Sequence, residues 1–191
     1  MASDLDDPRF LERLKRRDEA AFNELVRTSQ GRVFRVCLRM VGRRDEAEDL
    51  AQEVFIAVFR AIETFRGDAK LGTWIYRIAS NVTKNRVKYL ARRQDGRQGV
   101  YDDESAHAAD DAGAPDDALD GKRAEARLLE ALQGLDEEQR LILVLRDVEN
   151  LSYEEIREAT GLAEGTVKSR LHRARQTLYA RVGQGTKGST S

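Results

Sequence analysis

The side chains best suited to chemistry lie between Thr166 and Gln176. On a helical wheel of about 100° per residue, Val167, Leu171, Ala174 and Leu178 form one narrow apolar stripe. Ser169, His172, Arg173 and Gln176 fall opposite it, and Lys168, Arg170 and Arg175 flank that side. Cations so placed gain from neutralising phosphates and releasing counterions, while Arg, Ser and Gln hydrogen-bond base edges. Gly165 and Thr166 stand at the start of the helix, where free backbone N–H groups attract a phosphate. This is the pattern of a helix that reads the major groove of DNA. A solvated charged face is the plainer alternative, and the elements ahead of this helix weigh against it.

A second basic set lies on the segment from Thr73. Arg77, Asn81, Lys84, Asn85, Lys88 and Arg92 gather beside an apolar stripe of Ile75, Ile78, Ala79 and Val82, with Trp74 at the edge. Cations, amides and an aromatic suit a nucleic acid whose bases are unstacked. A lone tryptophan is more often a core residue, and both readings stay open for Trp74. The polar loop Arg66–Lys70, with Gly67 and Asp68 as turn formers, is the kind of element that forms a pocket for an extruded base. A third set is apolar. Ile56 and Phe59 fall opposite the buried stripe of their helix (Leu50, Ala51, Val54, Phe55, Val58, Ile62), among Asp49, Gln52, Glu53, Arg60 and Glu63. Exposed apolar groups rimmed by charge suit a protein-docking patch. Packing of Phe59 inside its own domain fits the pattern equally well.

The elements that must position these groups are helices. Ser152 is an N-cap with Glu155 at the capping-box position, and Leu151 and Ile156 are placed as a hydrophobic staple. That short helix ends near Thr160-Gly161, and the groove-reading helix runs from about Ala163 to Arg181, which is the layout of a helix-turn-helix. Upstream, a helix of about Arg123–Gln133 is closed by Gly134. Asp136 caps the next, with Gln139 at its third position, and it runs to about Asp147. The first half of the chain reads as about four helices. One covers Asp18–Val41 and stops at Gly42. Another starts with Asp45 as N-cap and Glu48 at the capping-box position, and runs to about Phe65. A further helix spans Thr73–Arg93.

Composition agrees with this. Of 191 residues, 35% are charged and only two are proline, so the predicted class is all-α. The predicted organisation is an N-terminal segment 1–17, a helical domain 18–93, an acidic flexible linker 94–122, a second helical domain 123–182 and a disordered Gly/Ser/Thr-rich tail 183–191. Between Val100 and Lys122 the linker carries eight carboxylates (Asp102, Asp103, Glu104, Asp110, Asp111, Asp116, Asp117, Asp120) and no Lys or Arg. It reads as a solvated spacer or as an acidic strand for a basic channel on a partner. Net charge is −1, so attraction to nucleic acid must come from local patches.

Cys37 is the one cysteine. It forms no internal disulfide, sits on an apolar pattern, and fits the reducing cytoplasm. His107 and His172 are the only histidines, too few for a Cys/His metal cluster. The chain shows no secretory signal and no apolar run near the roughly 20 residues of a membrane helix. It has no Gly-rich phosphate loop and no Ser/His/Asp arrangement. The expectation is therefore a non-enzyme without cofactor, metal or small-molecule substrate.

Taken together, these residues resemble the extracytoplasmic-function (ECF) sigma factors of the sigma-70 family. The string Asp49-Leu50-Ala51-Gln52-Glu53-Val54-Phe55 resembles that family's polymerase-docking segment. Phe65-Arg66-Gly67, then Thr73-Trp74-Ile75-Tyr76-Arg77-Ile78-Ala79 with Asn81 and Asn85, is similar to its loop and helix for the minus-ten element. Leu151-Ser152-Tyr153-Glu154-Glu155-Ile156, then Gly165 to Arg175, is similar to its helix-turn-helix for the minus-thirty-five element.

The resemblance implies docking on core RNA polymerase through Asp49, Gln52, Glu53, Ile56, Phe59 and Arg60. It implies minus-ten recognition and melting by Phe65, Arg66, Gly67, Asp68, Lys70, Trp74, Arg77, Asn81, Lys84, Asn85 and Lys88. It assigns the minus-thirty-five element to Thr166, Lys168, Ser169, Arg170, His172, Arg173, Arg175 and Gln176. It also implies an anti-sigma factor as partner, and a linker that passes through the polymerase as an RNA mimic. The competing reading is a freestanding helix-turn-helix regulator whose dimer binds half-sites about one turn apart. Two basic helices in separate domains favour the sigma factor.

Overall fold

The computed structural model describes residues 5–95 and 116–185. Every regular element among the described residues is helical. The chain opens with α1 (Pro8–Lys15), where Asp7 accepts from the Arg9 N–H and Pro8 takes the first turn. Phe10 and Leu14, one turn apart, are buried in the first core. The predicted N-terminal segment 1–17 thus contains a helix, and the overlooked signal was an Asp-Pro start followed by an apolar i,i+4 pair. Helix α2 (Glu19–Val41) is capped by Asp18, whose carboxylate accepts from the Ala21 N–H at 2.7 Å. It stops at Gly42, left-handed at φ 78°, whose N–H returns to the Leu38 carbonyl. A side chain at Gly42 would also strike Gln133 of the second domain.

Helix α3 (Arg44–Ala61) starts one residue before the predicted cap. Arg43 is the extended N-cap residue and makes no side-chain cap bond. Asp45 lies instead in the first turn, where the helix dipole favours an anion. Hydrogen bonding from the Arg43 guanidinium holds its carboxyl below the usual range. A single 3₁₀ turn, Ile62–Thr64, leads through the loop 65–70 into α4 (Leu71–Asp95). Leu25, Val33, Leu50, Val54, Val58 and Ile75 form the shared core of these four helices. Cys37 lies there fully buried, and burial pushes its thiol up to about 12.

The second domain comprises α5 (Asp116–Gln133), α6 (Glu137–Leu143), α7 (Tyr153–Thr160) and α8 (Glu164–Gly185). Helix α6 widens into a π-turn over Val144–Val148 instead of running regularly to Asp147. The chain then reverses through Asn150 at φ 58°, a conformation Asn tolerates better than most residues. Both ends of the predicted linker are helical. Residues 94–95 finish α4 and residues 116–122 open α5. The rest of the linker, 96–115, with His107, lies outside the described residues. Likewise residues 183–185 complete α8, and 186–191 of the predicted tail lie outside them.

The two domains share a second core. Val36 and Met40 of α2 and Tyr76 of α4 pack with Leu132, Leu145, Ile156 and Leu171. Beneath it, the Glu149 side chain is 1% exposed. It accepts from Arg35 Nε at 2.9 Å and from the Tyr76 hydroxyl at 2.7 Å. Burial, and then the bond to Glu149, pushes the Tyr76 phenol above its ordinary value. Arg140, also buried, donates to the carbonyl of Met40 across the interface and to carbonyls of Gln133 and Leu135. No helix among the described residues is long and apolar enough to cross a membrane.

Candidate nucleic-acid and polymerase interfaces

The capping box that starts α7 is fully formed. Ser152 Oγ accepts from the Glu155 N–H at 3.1 Å, and the Glu155 carboxylate accepts from the Ser152 N–H at 2.9 Å. That backbone bond, reinforced by Lys70, holds the Glu155 carboxyl below its ordinary range. Leu151 and Ile156 are both buried. Gly161, left-handed at φ 74°, ends α7 and turns the chain into α8. The apolar stripe of α8 is where the wheel placed it: Val167, Leu171 and Ala174 are buried, with Leu178 packed alongside.

Packing that stripe inward fixes the rotation of α8. Lys168, Ser169, His172, Arg173 and Gln176 stand exposed, and Thr166, Arg170 and Arg175 are half-buried beside them. Several of these cations are already held. Lys168 pairs with Glu164 at 2.6 Å and lies over the Tyr153 ring. Arg175 pairs with Asp147 at 2.5 Å, and Arg170 contacts Glu138.

The loop 65–70 and α4 build the second site. Phe65 is 4% exposed and its ring lies 5.3 Å from that of Trp74, tilted by 53°. Phe65 is therefore part of the wall, not a free contact. Trp74 is half-buried and serves as both core and rim. Together they border a cavity of about 430 Å³, lined also by Arg66, Asp68, Ala69 and Arg77. Gly67 gives the loop its reversal at φ 81°. Asp6 of the N-terminal segment accepts from the Leu71 N–H at 2.7 Å and so anchors the start of α4. Along α4, Arg77, Asn81, Asn85 and Lys88 are exposed, whereas Lys84 is partly covered and pairs with Glu138 at 3.8 Å.

The third face is on α3. Asp49, Gln52, Glu53, Ile56 and Arg60 are exposed on one side, Ile56 by 51%. Phe59 is half-buried. Its ring meets that of Phe22 edge-on at 5.0 Å, and the Arg17 guanidinium covers it at 5.1 Å. Of its two readings, the structure favours intradomain packing. Sequence reasoning missed Arg86 of α4, which ties Glu46 and Glu53 of α3 at 3.1 and 2.8 Å and thereby sets the edge of this face. It also missed Glu138, which reaches Lys84 of the other domain, and Glu149, which reaches Arg35 and Tyr76 there; neither follows a local period.

Residues 25–95 match the model of sigma-70 region 2, and residues 125–178 match that of sigma-70 region 4. The RNA polymerase sigma-H factor of Pseudomonas aeruginosa is 38% identical over 176 residues, spanning 90% of this chain and 91% of the relative. The ECF RNA polymerase sigma-E factor of Haemophilus influenzae is 34% identical over 186 residues, 95% and 98% of the two chains. This chain belongs to the ECF sigma factors. As a sigma factor it binds core RNA polymerase, directs it to promoters and catalyses no reaction of its own. The fold agrees. The sigma factor RpoE from Bartonella quintana, solved in complex with the anti-sigma factor NepR, superposes with a TM-score of 0.67 at 23% identity, covering 85% of this chain and 96% of that one.

Proposed function

We infer that this sigma factor divides promoter recognition between its two helical domains. In this reading α8 enters the major groove at the minus-thirty-five element. Arg173 and Gln176 reach base edges, while Lys168, Arg170, Arg175 and Thr166 hold phosphates, with Ser169 and His172 between them. The loop 65–70 with Trp74 receives an unstacked base of the minus-ten element in the cavity bordered by Phe65. Arg77, Asn81, Lys84, Asn85 and Lys88 track the separated strand. Melting then draws on binding free energy, with unstacking costing about a few kcal/mol. The α3 face, led by Asp49, Gln52, Glu53, Ile56 and Arg60, docks on the clamp coiled coil of the largest polymerase subunit. The second domain docks on the flap of the second-largest. The acidic linker threads the RNA path of the polymerase. The site of action is the cytoplasm, and an anti-sigma factor is the restraining partner.

The observation that supports this reading most is the rotation of α8, whose buried stripe leaves Ser169, His172, Arg173 and Gln176 in solvent on one side. The test is transcription in vitro by bacterial core polymerase on a promoter library, with and without this protein. New transcripts should start a fixed distance downstream of a shared two-part motif. Arg173→Ala should lower output by about tenfold and relax preference within the upstream half of the motif. Asp49→Ala and Ile56→Ala should weaken core binding without changing that preference. Transcription that ignores these variants would overturn the assignments. Phe59→Ala is a poor probe of docking, because it removes an internal packing contact.

A further inference from the structure

A second hollow lies toward the far end of α4. Trp74, Asn81, Asn85 and Tyr89 fall within about 80° of one another on a helical wheel. The two aromatics in this line stand about 22 Å apart at 1.5 Å per residue. Trp74 borders the cavity beside the loop 65–70. Tyr89 borders a separate one of about 500 Å³, walled by Glu53, Val82, Asn85 and Arg86. At roughly 3.4 Å per stacked nucleotide, a strand that follows α4 passes the two hollows with different bases.

The chemistry of this hollow suits a base. Tyr89 is 54% exposed, which leaves its ring face free to stack. Val82 is half-buried and gives an apolar floor. Asn85 is exposed, and an asparagine amide pairs with N6 and N7 of adenine. Glu53 stands at the rim, with Arg86 Nη2 2.8 Å from one carboxylate oxygen, and Arg86 is itself tied to Glu46 at 3.1 Å. That clamp fixes Glu53 and offsets its charge, while the other oxygen is left to accept from an exocyclic amino group.

Granted that α4 is the minus-ten face, we propose that this hollow is a second base site, in which Tyr89 stacks on an unpaired adenine of the melted strand while Asn85 and Glu53 hold its edge. Arg86 touches no base and keeps Glu53 in position.

The test is transcription by bacterial core polymerase loaded with the full chain, on one of the promoters recovered from the library, its minus-ten region randomised. Sequencing the transcripts gives the base preference at each position. Tyr89 is exposed, so its replacement leaves the core of the domain intact. Tyr89→Ala should lower output about tenfold, the scale of one lost stack, and should erase an adenine preference at one position. Asn85→Ala should erase it at the same position. Tyr89→Phe should keep both output and preference, because the ring face is what binds, whereas Tyr89→Leu should behave as Tyr89→Ala. Asp68→Ala, in the loop 65–70, should flatten a different position. A uniform fall in output with preferences unchanged, a Tyr89→Ala variant that transcribes as wild type does, or a Tyr89→Leu variant that matches wild type would each overturn the second site. The two readings fail differently. Wild-type transcripts with no preference anywhere in the randomised region would sink α4 as the minus-ten reader, whereas a position flattened by Asp68→Ala and none by Tyr89→Ala would sink the second site alone.

Discussion

On α8, Ser169, His172, Arg173 and Gln176 meet solvent, while on α4 Arg77, Asn81, Asn85 and Lys88 are exposed and Lys84 is partly covered, paired with Glu138 of the other domain. The acids that pair with α8 come from its own domain: Glu164, Asp147 and Glu138. Those set against α4 and its loop include Glu155 and Glu138, which the chain supplies from far away in sequence. Local acids leave the exposed face of α8 in place and merely pre-position its cations, as the Lys168 pair with Glu164 illustrates. Distant acids bring their own helices against the first domain and hold Lys70 and Lys84.

That contrast can be broken at the interface. Arg140→Ala removes donors from the carbonyls of Met40, Gln133 and Leu135 in a buried setting. It should cost about 3 kcal/mol in urea unfolding. Hydrogen exchange along α4 should rise more than along the exposed face of α8. Equal protection in both would show that α4 is not held under the second domain. Tyr76→Phe should cost about 2 kcal/mol, since the phenol donates to a buried carboxylate. Because folding raises the Tyr76 value, its contribution is complete below the ordinary value of 10.0 and is lost as pH climbs through the raised one. Wild-type stability should therefore fall as pH rises above 10.0, and the variant should show a smaller alkaline loss.

Ser152→Ala removes half of the capping box and should cost about 1 kcal/mol. Its mark would be faster exchange in α7 and in the facing loop 66–70, with α8 little changed. The smallest effect belongs to Asp147→Asn, which frees Arg175 at an exposed pair. It should move stability by no more than about 0.5 kcal/mol, while raising the salt dependence of duplex binding. A large loss of stability there would mean that the local acids also build the fold.

Much of this was legible in the residues. Ser152 and Glu155 announced α7 because a capping box is a contact between neighbours in sequence. Val167, Leu171 and Ala174 set the rotation of α8 because helical period alone places them. The start of α3 was less legible. Asp45 is a good cap by type, but Arg43 adopts the extended conformation and the helix begins before Asp45. The π-turn after Leu143 left no periodic trace, since Val144 and Leu145 are apolar in either geometry. The meeting of Glu149 with Arg35 and Tyr76 spans 114 and 73 residues, a distance at which no local rule operates. For that reason α4 showed its basic side in the sequence but not the helix that lies across it.

The seam formed by Val36, Met40 and Tyr76 against Leu132, Leu145 and Ile156 gives closure a thermal character. Parting the domains wets this apolar surface, so opening carries a positive heat-capacity change. Its free energy is then a curved function of temperature, and cooling weakens the seam. An ion-pair latch alone would answer chiefly to ionic strength. With an apolar seam beneath the charges, parting the domains should depend on temperature as well as on salt.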